Sequence, residues 1–156
     1  MDTVTYPDPA IRCFVAEHFV PAKLLLNRAE DRAHFRTHRV IWTPTIMIFD
    51  RRGAGHYQSL GYLPPRLFLQ MLQIGLARAQ LAWARYDEAA VHLSAVVEDR
   101  GSPLAPEALY WLGIAWYLPE RKRAPMMRAW NRLCQEYPSS IWAARVPPNQ
   151  EDEPEP

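Results

Sequence analysis

The sequence has little of what most enzymatic sites require. It contains two cysteines in 156 residues, Cys13 and Cys134, and these form neither a C-x-x-C pair nor a zinc-ligand spacing. It has no glycine-rich phosphate loop, no Walker-type motif and no Ser, His and Asp order typical of a catalytic triad. These absences argue against a disulfide framework and leave the chain without a dithiol redox centre.

An excess of charge of one sign is also missing. The 18 Lys and Arg residues against 17 Asp and Glu residues give a formal net charge of +1, so no global field recruits nucleic acid or an anionic membrane. No apolar run approaches the roughly 18 residues of a membrane span, and the first residues do not resemble a signal peptide. We expect a cytoplasmic, soluble chain with reduced thiols and with no nucleic-acid partner, membrane association, metal or cofactor.

The first half of the chain alternates helical and strand-like segments. Asp8 followed by Pro9 predicts a helix that runs to about His18, because the carboxylate caps free amides and proline suits the first helical position. The following pattern predicts a strand buried on both faces over 19–26, a surface helix over 27–39, a buried strand over 43–49, a turn over 50–53 and an antiparallel strand over 56–60.

From Pro65 onward the periodicity is almost entirely helical and predicts helices over 65–84, 87–99, 105–117 and 124–137. Ala79, Ala82 and Trp83 match Leu112, Ala115 and Trp116 at an offset of about 33, and the partner helices match at about 37. This two-helix unit resembles tetratricopeptide repeats. The resemblance implies a groove that binds a protein or peptide, for which the candidate residues are Tyr110, Trp111 and Trp130.

The strand at Thr43-Pro44-Thr45, between Val40-Ile41-Trp42 and a hairpin at Asp50-Arg51-Arg52-Gly53, resembles the cis-proline strand of the thioredoxin superfamily. The resemblance covers roughly residues 4 to 82. It implies a cis bond before Pro44 and a substrate- or partner-binding loop at Trp42, Thr43, Pro44 and Thr45. The predicted fold class is α/β plus α, with a partial three-stranded thioredoxin-like sheet over 1–82, tetratricopeptide-like helices over 83–146 and a disordered tail over 147–156. The chain resembles bacterial proteins that join a thioredoxin-like domain to tetratricopeptide-like helices.

The chain departs from that family because the C-x-x-C motif is absent, together with the strand that precedes it. We expect Cys13 to be a small buried side chain in the middle of the first helix, and Cys134 to lie in the core. The missing strand would lie between those over 19–26 and 45–49, which leaves three alternatives. The two strands pair directly, a second copy covers the gap as a homodimer, or Met1 is internal to a longer protein.

His34 and His38 have a spacing that metal ligands use, but with no third ligand nearby we interpret them as part of a solvated helix face. The leading functional hypothesis is a redox-inactive, thioredoxin-like module for protein interaction. The rival is the C-terminal part of a thiol-disulfide oxidoreductase whose C-x-x-C lies upstream of Met1. A third hypothesis is a helical scaffold in which the strands only cap the repeats.

Overall fold

The computed structural model describes residues 1–148, which contain six α-helices, one short 3-10 helix and one two-stranded antiparallel sheet. This mixture confirms the coarse prediction of a chain with both helices and strands. The chain divides into two compact units, Met1–Ala79 and the part from Gln80 onward, with the division inside the third helix. Of the predicted tail, residues 149–156 lie outside the described residues.

The first helix confirms its predicted start and end. Helix α1 spans Pro9–His18, and Oδ1 of Asp8 accepts hydrogen bonds from the amides of Ala10 at 2.9 Å and Ile11 at 3.3 Å. Ile11 is the fully buried residue of this helix. The side-chain cap and the proline at the first turn therefore fix where the helix begins.

The predicted buried strand over 19–26 is wrong. That segment is irregular, Val20 is 99% exposed and Leu26 is 62% exposed. The amide of Leu25 donates instead to Oδ2 of the buried Asp31 at 2.7 Å. A strand needs a neighbour for its backbone groups, and within residues 1–148 no strand pairs with this segment. The three-stranded sheet is therefore corrected to two strands.

The surface helix predicted over 27–39 is much shorter in the structure. Helix α2 spans Arg32–Thr37. Asp31 precedes it without capping it, since its carboxylate accepts the amide of Leu25. The chain leaves the helix at Arg39, whose φ is +51°. Because the Asp31 carboxylate does not cap the helix start and Arg39 is left-handed after the helix end, the helix is limited to six residues.

The predicted hairpin is confirmed. Strand β1 spans Thr45–Phe49 and strand β2 spans Gly55–Leu60, paired so that Thr45 faces Leu60, with an irregularity between Ile48 and Phe49. The turn between them is closed by Asp50, whose Oδ1 accepts the amides of Arg52 at 2.8 Å and Ala54 at 2.9 Å. Gly53 supplies the positive φ of +80° that the turn requires.

Helix α3, Pro65–Ala82, lies with its backbone directly on the hairpin. A Cβ built at Gly75 would overlap Cδ1 of Ile48 and lie 3.1 Å from Cβ of Tyr57, two residues that face each other across the strands. Helix α3 also buries Phe68, Met71, Leu72 and Ile74. Because an isolated two-stranded hairpin is marginally stable, this helix is what holds it.

The second unit is helical. Helices α4 (Tyr86–Val97), α5 (Ala105–Tyr117) and α6 (Arg123–Glu136) are followed by the 3-10 helix Ala143–Arg145. Helix α5 packs against both α4 and α6, around a core that includes Leu93, Val96, Leu109, Leu112 and Leu133. At the contact of α5 with α6, a Cβ at Gly113 would lie 2.7 Å from Nε1 of Trp130.

We predict that Gly75→Ala lowers the free energy of unfolding by about 1 kcal/mol in urea denaturation. The gain in helix propensity, about 1 kcal/mol, is outweighed by about 1–3 kcal/mol of overpacking. In an Ile48→Val background, which removes the clashing Cδ1, the same substitution becomes neutral or stabilising. Gly101→Ala, where a Cβ meets nothing closer than 3.8 Å, is the control. An equal cost in both backgrounds would contradict this packing.

Candidate functional site

The loop before β1 presents apolar side chains to solvent while its ends are fixed. Ile41 is 87% exposed and Trp42 is 66% exposed. Oγ1 of Thr45 donates to the carbonyl of Trp42 at 2.6 Å, and the amide of Gly61 donates to the carbonyl of Pro44 at 2.8 Å. The Thr43–Pro44 bond is cis, as the resemblance implied. Of the predicted residues, Trp42 and Thr43 are exposed, whereas Pro44 and Thr45 are half-buried and Thr45 is the first residue of β1.

The hydrogen bond between Gly61 and Pro44 sets which backbone groups of β1 point away from β2. In an antiparallel ladder, hydrogen-bonded and non-hydrogen-bonded pairs alternate. Since Pro44 and Gly61 form a bonded pair, the next bonded pair is Ile46 with Ser59 in the observed register. The amides and carbonyls of Thr45 and Met47 therefore point to the open edge of the sheet.

Thr43 continues this edge into the loop. Within residues 1–148 its amide and its carbonyl make no hydrogen bond, and the residue is exposed. No segment that the structure describes pairs with β1 on the side opposite β2. Thr43, Thr45 and Met47 together form a row of unpaired backbone groups, which we call the β1 edge. Met47 was not among the predicted site residues, since only the strand register identifies it.

Exposed apolar surface is concentrated in the first unit. Of the twelve large apolar residues that are exposed among the described residues, nine precede Gln80 and three follow it. The nine are Val4, Val20, Leu24, Leu26, Ile41, Trp42, Phe49, Leu60 and Tyr62. Single exposed apolar residues are ordinary in proteins, so the neighbouring pair Ile41 and Trp42 is the part of this set that bears on a candidate site.

Basic residues stand at both ends of the β1 edge. Arg39 precedes the loop, and Arg51 and Arg52 follow β1 in the turn, all of them exposed. The Asp50 carboxylate accepts the turn amides and lies 3.2 Å from Nε2 of His56. With three arginines and one aspartate, the segment 39–52 has a positive formal charge.

The two histidines of the surface helix do not share a face. His34 lies within α2, but His38 follows the helix end, and its ring packs against that of Phe49 at a centroid distance of 4.9 Å. In the part of the chain that the structure describes, no group of three His, Cys, Asp or Glu residues is placed to hold a metal ion.

The prediction that Cys13 is buried is wrong, because the structure exposes it. It lies two residues after the buried Ile11, about 200° around a helix of 3.6 residues per turn, so it points away from the packed face of α1. Cys134, which we expected in the core, is only half-buried, and both thiols are free. The described residues therefore contain no paired thiols.

The three predicted groove aromatics come together at α5 and α6. The ring of Tyr110 stacks on Trp130 at 5.4 Å and meets the edge of Trp111 at 5.8 Å. Trp130 is only 8% exposed, and its Nε1 donates to the carbonyl of Tyr110 at 3.1 Å. Trp142 adds a fourth ring, 5.3 Å from Tyr110, with the guanidinium of Arg145 above it at 4.4 Å.

A separate shallow cleft of about 420 Å³ lies in the second unit, lined by Ser94, Val97, Glu98, Arg100, Leu112, Trp116 and Arg132. Trp116 is 40% exposed there. At its rim, Arg132 donates to Oε1 and Oε2 of Glu136 at 2.8 and 3.3 Å, and this hydrogen bonding lowers the pKa of Glu136. The cleft has apolar walls and a rim of mixed charge.

Comparison of the chain with protein-family models, curated proteins and solved structures finds no match. The two resemblances therefore rest on the residues described above. Among residues 1–148, no helix is both long and apolar enough to cross a membrane.

We predict that truncation of Trp42 leaves the free energy of unfolding almost unchanged, whereas truncation of Trp130 lowers it strongly. Trp42→Ala changes the free energy of unfolding by less than about 0.5 kcal/mol, because the side chain is mostly in solvent. Trp130→Ala costs about 3–5 kcal/mol, as for a buried aromatic residue. Urea denaturation of both variants measures this, with Tyr62→Ala as an exposed control. A cost above about 2 kcal/mol for Trp42→Ala would give that residue a structural role.

Proposed function

We propose that the chain is a redox-inactive, thioredoxin-like module that binds a protein or peptide and continues into tetratricopeptide-like helices. The observation that carries this proposal is the loop over 41–45. It combines exposed Ile41 and Trp42 with a Thr43 backbone that makes no hydrogen bond within residues 1–148. Exposed apolar side chains beside unpaired backbone groups are what a protein needs to hold an extended segment.

The loop is suited to binding because its conformation is fixed before a partner arrives. Its start is held by the bond from Oγ1 of Thr45 to Trp42 and its end by the bond from Gly61 to Pro44. A loop that is already ordered loses less conformational entropy on binding. Its exposure also disfavours the third hypothesis, in which the strands serve only to cap helices.

The absence of paired thiols supports the redox-inactive part of the proposal. Dithiol exchange needs a reactive thiolate and a second thiol that resolves the mixed disulfide. Cys13 is exposed on α1 and Cys134 is half-buried in the other unit, so neither has a resolving partner in its own sequence neighbourhood. Two free thiols in such a chain suit the reducing cytoplasm, where we place the protein.

The helical unit offers a second contact region. The missing side chain at Gly113 lets α5 approach α6 closely, which is the use that tetratricopeptide-like pairs make of small residues. The cleft of the helical unit, which the exposed Trp116 helps to line, is open to a side chain of a partner. Tyr110 and Trp111 are half-buried around Trp142 and contribute a smaller apolar surface than three exposed rings would.

We predict that a photo-crosslinking amino acid at position 42, in the full chain in its native cells, gives one dominant adduct with a specific protein. The same substitution at Val91, which is 67% exposed on α4, is the matched control. A similar set of faint adducts from both positions would refute the loop as a binding surface.

A second candidate function is part of a thiol-disulfide oxidoreductase whose C-x-x-C lies upstream of Met1. It is favoured by the β1 edge, which is where an additional strand would pair. In that case Thr43 offers backbone hydrogen bonds to an extended substrate and Pro44 orients it.

We predict that the purified 156-residue chain does not accelerate the reduction of insulin by dithiothreitol above the rate without protein. The physical reason is the lack of a resolving thiol. Cys13→Ser and Cys134→Ser variants are the controls. Acceleration that disappears in Cys13→Ser would mean that the chain is itself a thiol reductant and would refute the redox-inactive proposal.

A further inference from the structure

We infer that the β1 edge binds an extended peptide with an apolar centre and acidic ends, which adds to the sheet as a third strand. This inference rests on the proposed function and specifies its partner. It extends the contact surface from the loop at Thr43 along the strand to Met47 and the end of β1.

The backbone geometry specifies a strand as the ligand. Thr45 and Met47 are two residues apart, and their amides and carbonyls face the open side of the sheet, as the Gly61 to Pro44 bond and the register require. Thr43 precedes the strand, and its backbone is unpaired within residues 1–148. The spacing between alternate residues of a strand, about 6.6–6.8 Å, is the spacing at which an added strand makes its hydrogen bonds. A helical ligand cannot satisfy such a row, because its backbone groups are already paired.

The free side of β2 is a poorer acceptor. Strand β2 ends at Leu60 and the chain then reaches Pro64 and Pro65, which have no amide hydrogen to donate. Prolines beside an edge strand are a common means of preventing further pairing. At the loop end of β1, Pro44 is engaged on the β2 side through its carbonyl, and the backbone of Thr43 is unpaired within residues 1–148.

The surroundings specify the side chains of the peptide. Ile41 and Trp42 lie exposed at one end of the β1 edge, and Phe49, 40% exposed, lies at the other. Apolar side chains in the middle of the peptide would cover this surface. Arg39 before the loop and Arg51 after the strand favour acidic residues at the two ends of the peptide.

The same charges oppose a second copy of the chain as the occupant. If two β1 strands paired antiparallel, the arginines that precede and follow each strand, Arg39 and Arg51, would gather at the two ends of the pair. Like charges directly across strands destabilise pairing. An acidic partner reverses the sign of both contacts.

The test is a fluorescence-anisotropy titration of the full chain with a labelled peptide that has two glutamates at each end of a Val-Thr-Val-Thr-Val centre. We expect saturable binding. N-methylation of alternate residues removes amide donors from one edge of the peptide at a time. We expect methylation of one edge to weaken binding at least tenfold and methylation of the opposite edge to change it less than about twofold, since only one edge faces the protein.

The charge requirement is tested with Arg39→Glu combined with Arg51→Glu. This variant should bind the glutamate peptide at least about tenfold more weakly and should bind a peptide with lysines in place of the glutamates more tightly than the unaltered chain does. Arg123→Glu combined with Arg128→Glu, two exposed residues of α6, makes the same change of net charge and should leave the affinity within about twofold.

Equal losses from methylation of either peptide edge, or no binding at all, overturn the inference. If position 42 still crosslinks to a specific protein, that result overturns only the inference and leaves the proposed function in place. If position 42 gives no specific adduct, the proposed function is overturned as well. Analytical ultracentrifugation supplies another arm. A chain that is dimeric at the titration concentration, and that becomes monomeric with Thr45→Pro, would assign the edge to a second copy and overturn the peptide as occupant.

Discussion

The close approach of helix α3 to the hairpin at Gly75 is the contact on which the first unit depends. A two-stranded sheet has too few hydrogen bonds and too little buried area to persist alone, and Ile48 and Tyr57 bury one face of it against the helix backbone. Because position 75 lacks a Cβ, the helix lies closer than any other residue would allow. This packing supports the hairpin, which in turn carries the loop over 41–45 and the unpaired edge of β1.

The consequence is a sheet that is supported on a face but incomplete along an edge. Burial of the Ile48 side chain gives the hairpin an apolar core contact. It supplies no hydrogen-bond partner for the outward amides of Thr45 and Met47. Proteins usually protect such edges with charges, prolines or a covering element. In this chain β2 is followed by Pro64 and Pro65 four and five residues after its end, while β1 is preceded by exposed Ile41 and Trp42. The proposed binding function follows from that asymmetry.

Much of the fold could be predicted because local chemistry determines it. Asp8 caps α1, Gly53 closes the hairpin, and the four later helices follow their apolar periodicity. The predictions failed where contacts with residues distant in sequence determine the local structure. The apolar run over 19–26 has strand composition but no strand to pair with, and Asp31 is occupied by Leu25 rather than by a helix N-terminus. The cis bond before Pro44 agrees with what its motif implied. The role of Met47 was not predictable, because it depends on a register fixed by the Gly61 to Pro44 bond.

The most direct test of the account is amide hydrogen exchange along β1 in the free chain, followed by NMR. The account predicts an alternating pattern, with the amides of Ile46 and Ile48, which pair with β2, exchanging at least about ten times more slowly than those of Thr45 and Met47. Equal protection at all four amides would mean that something already covers the edge, and would contradict the claim that β1 is open to a partner.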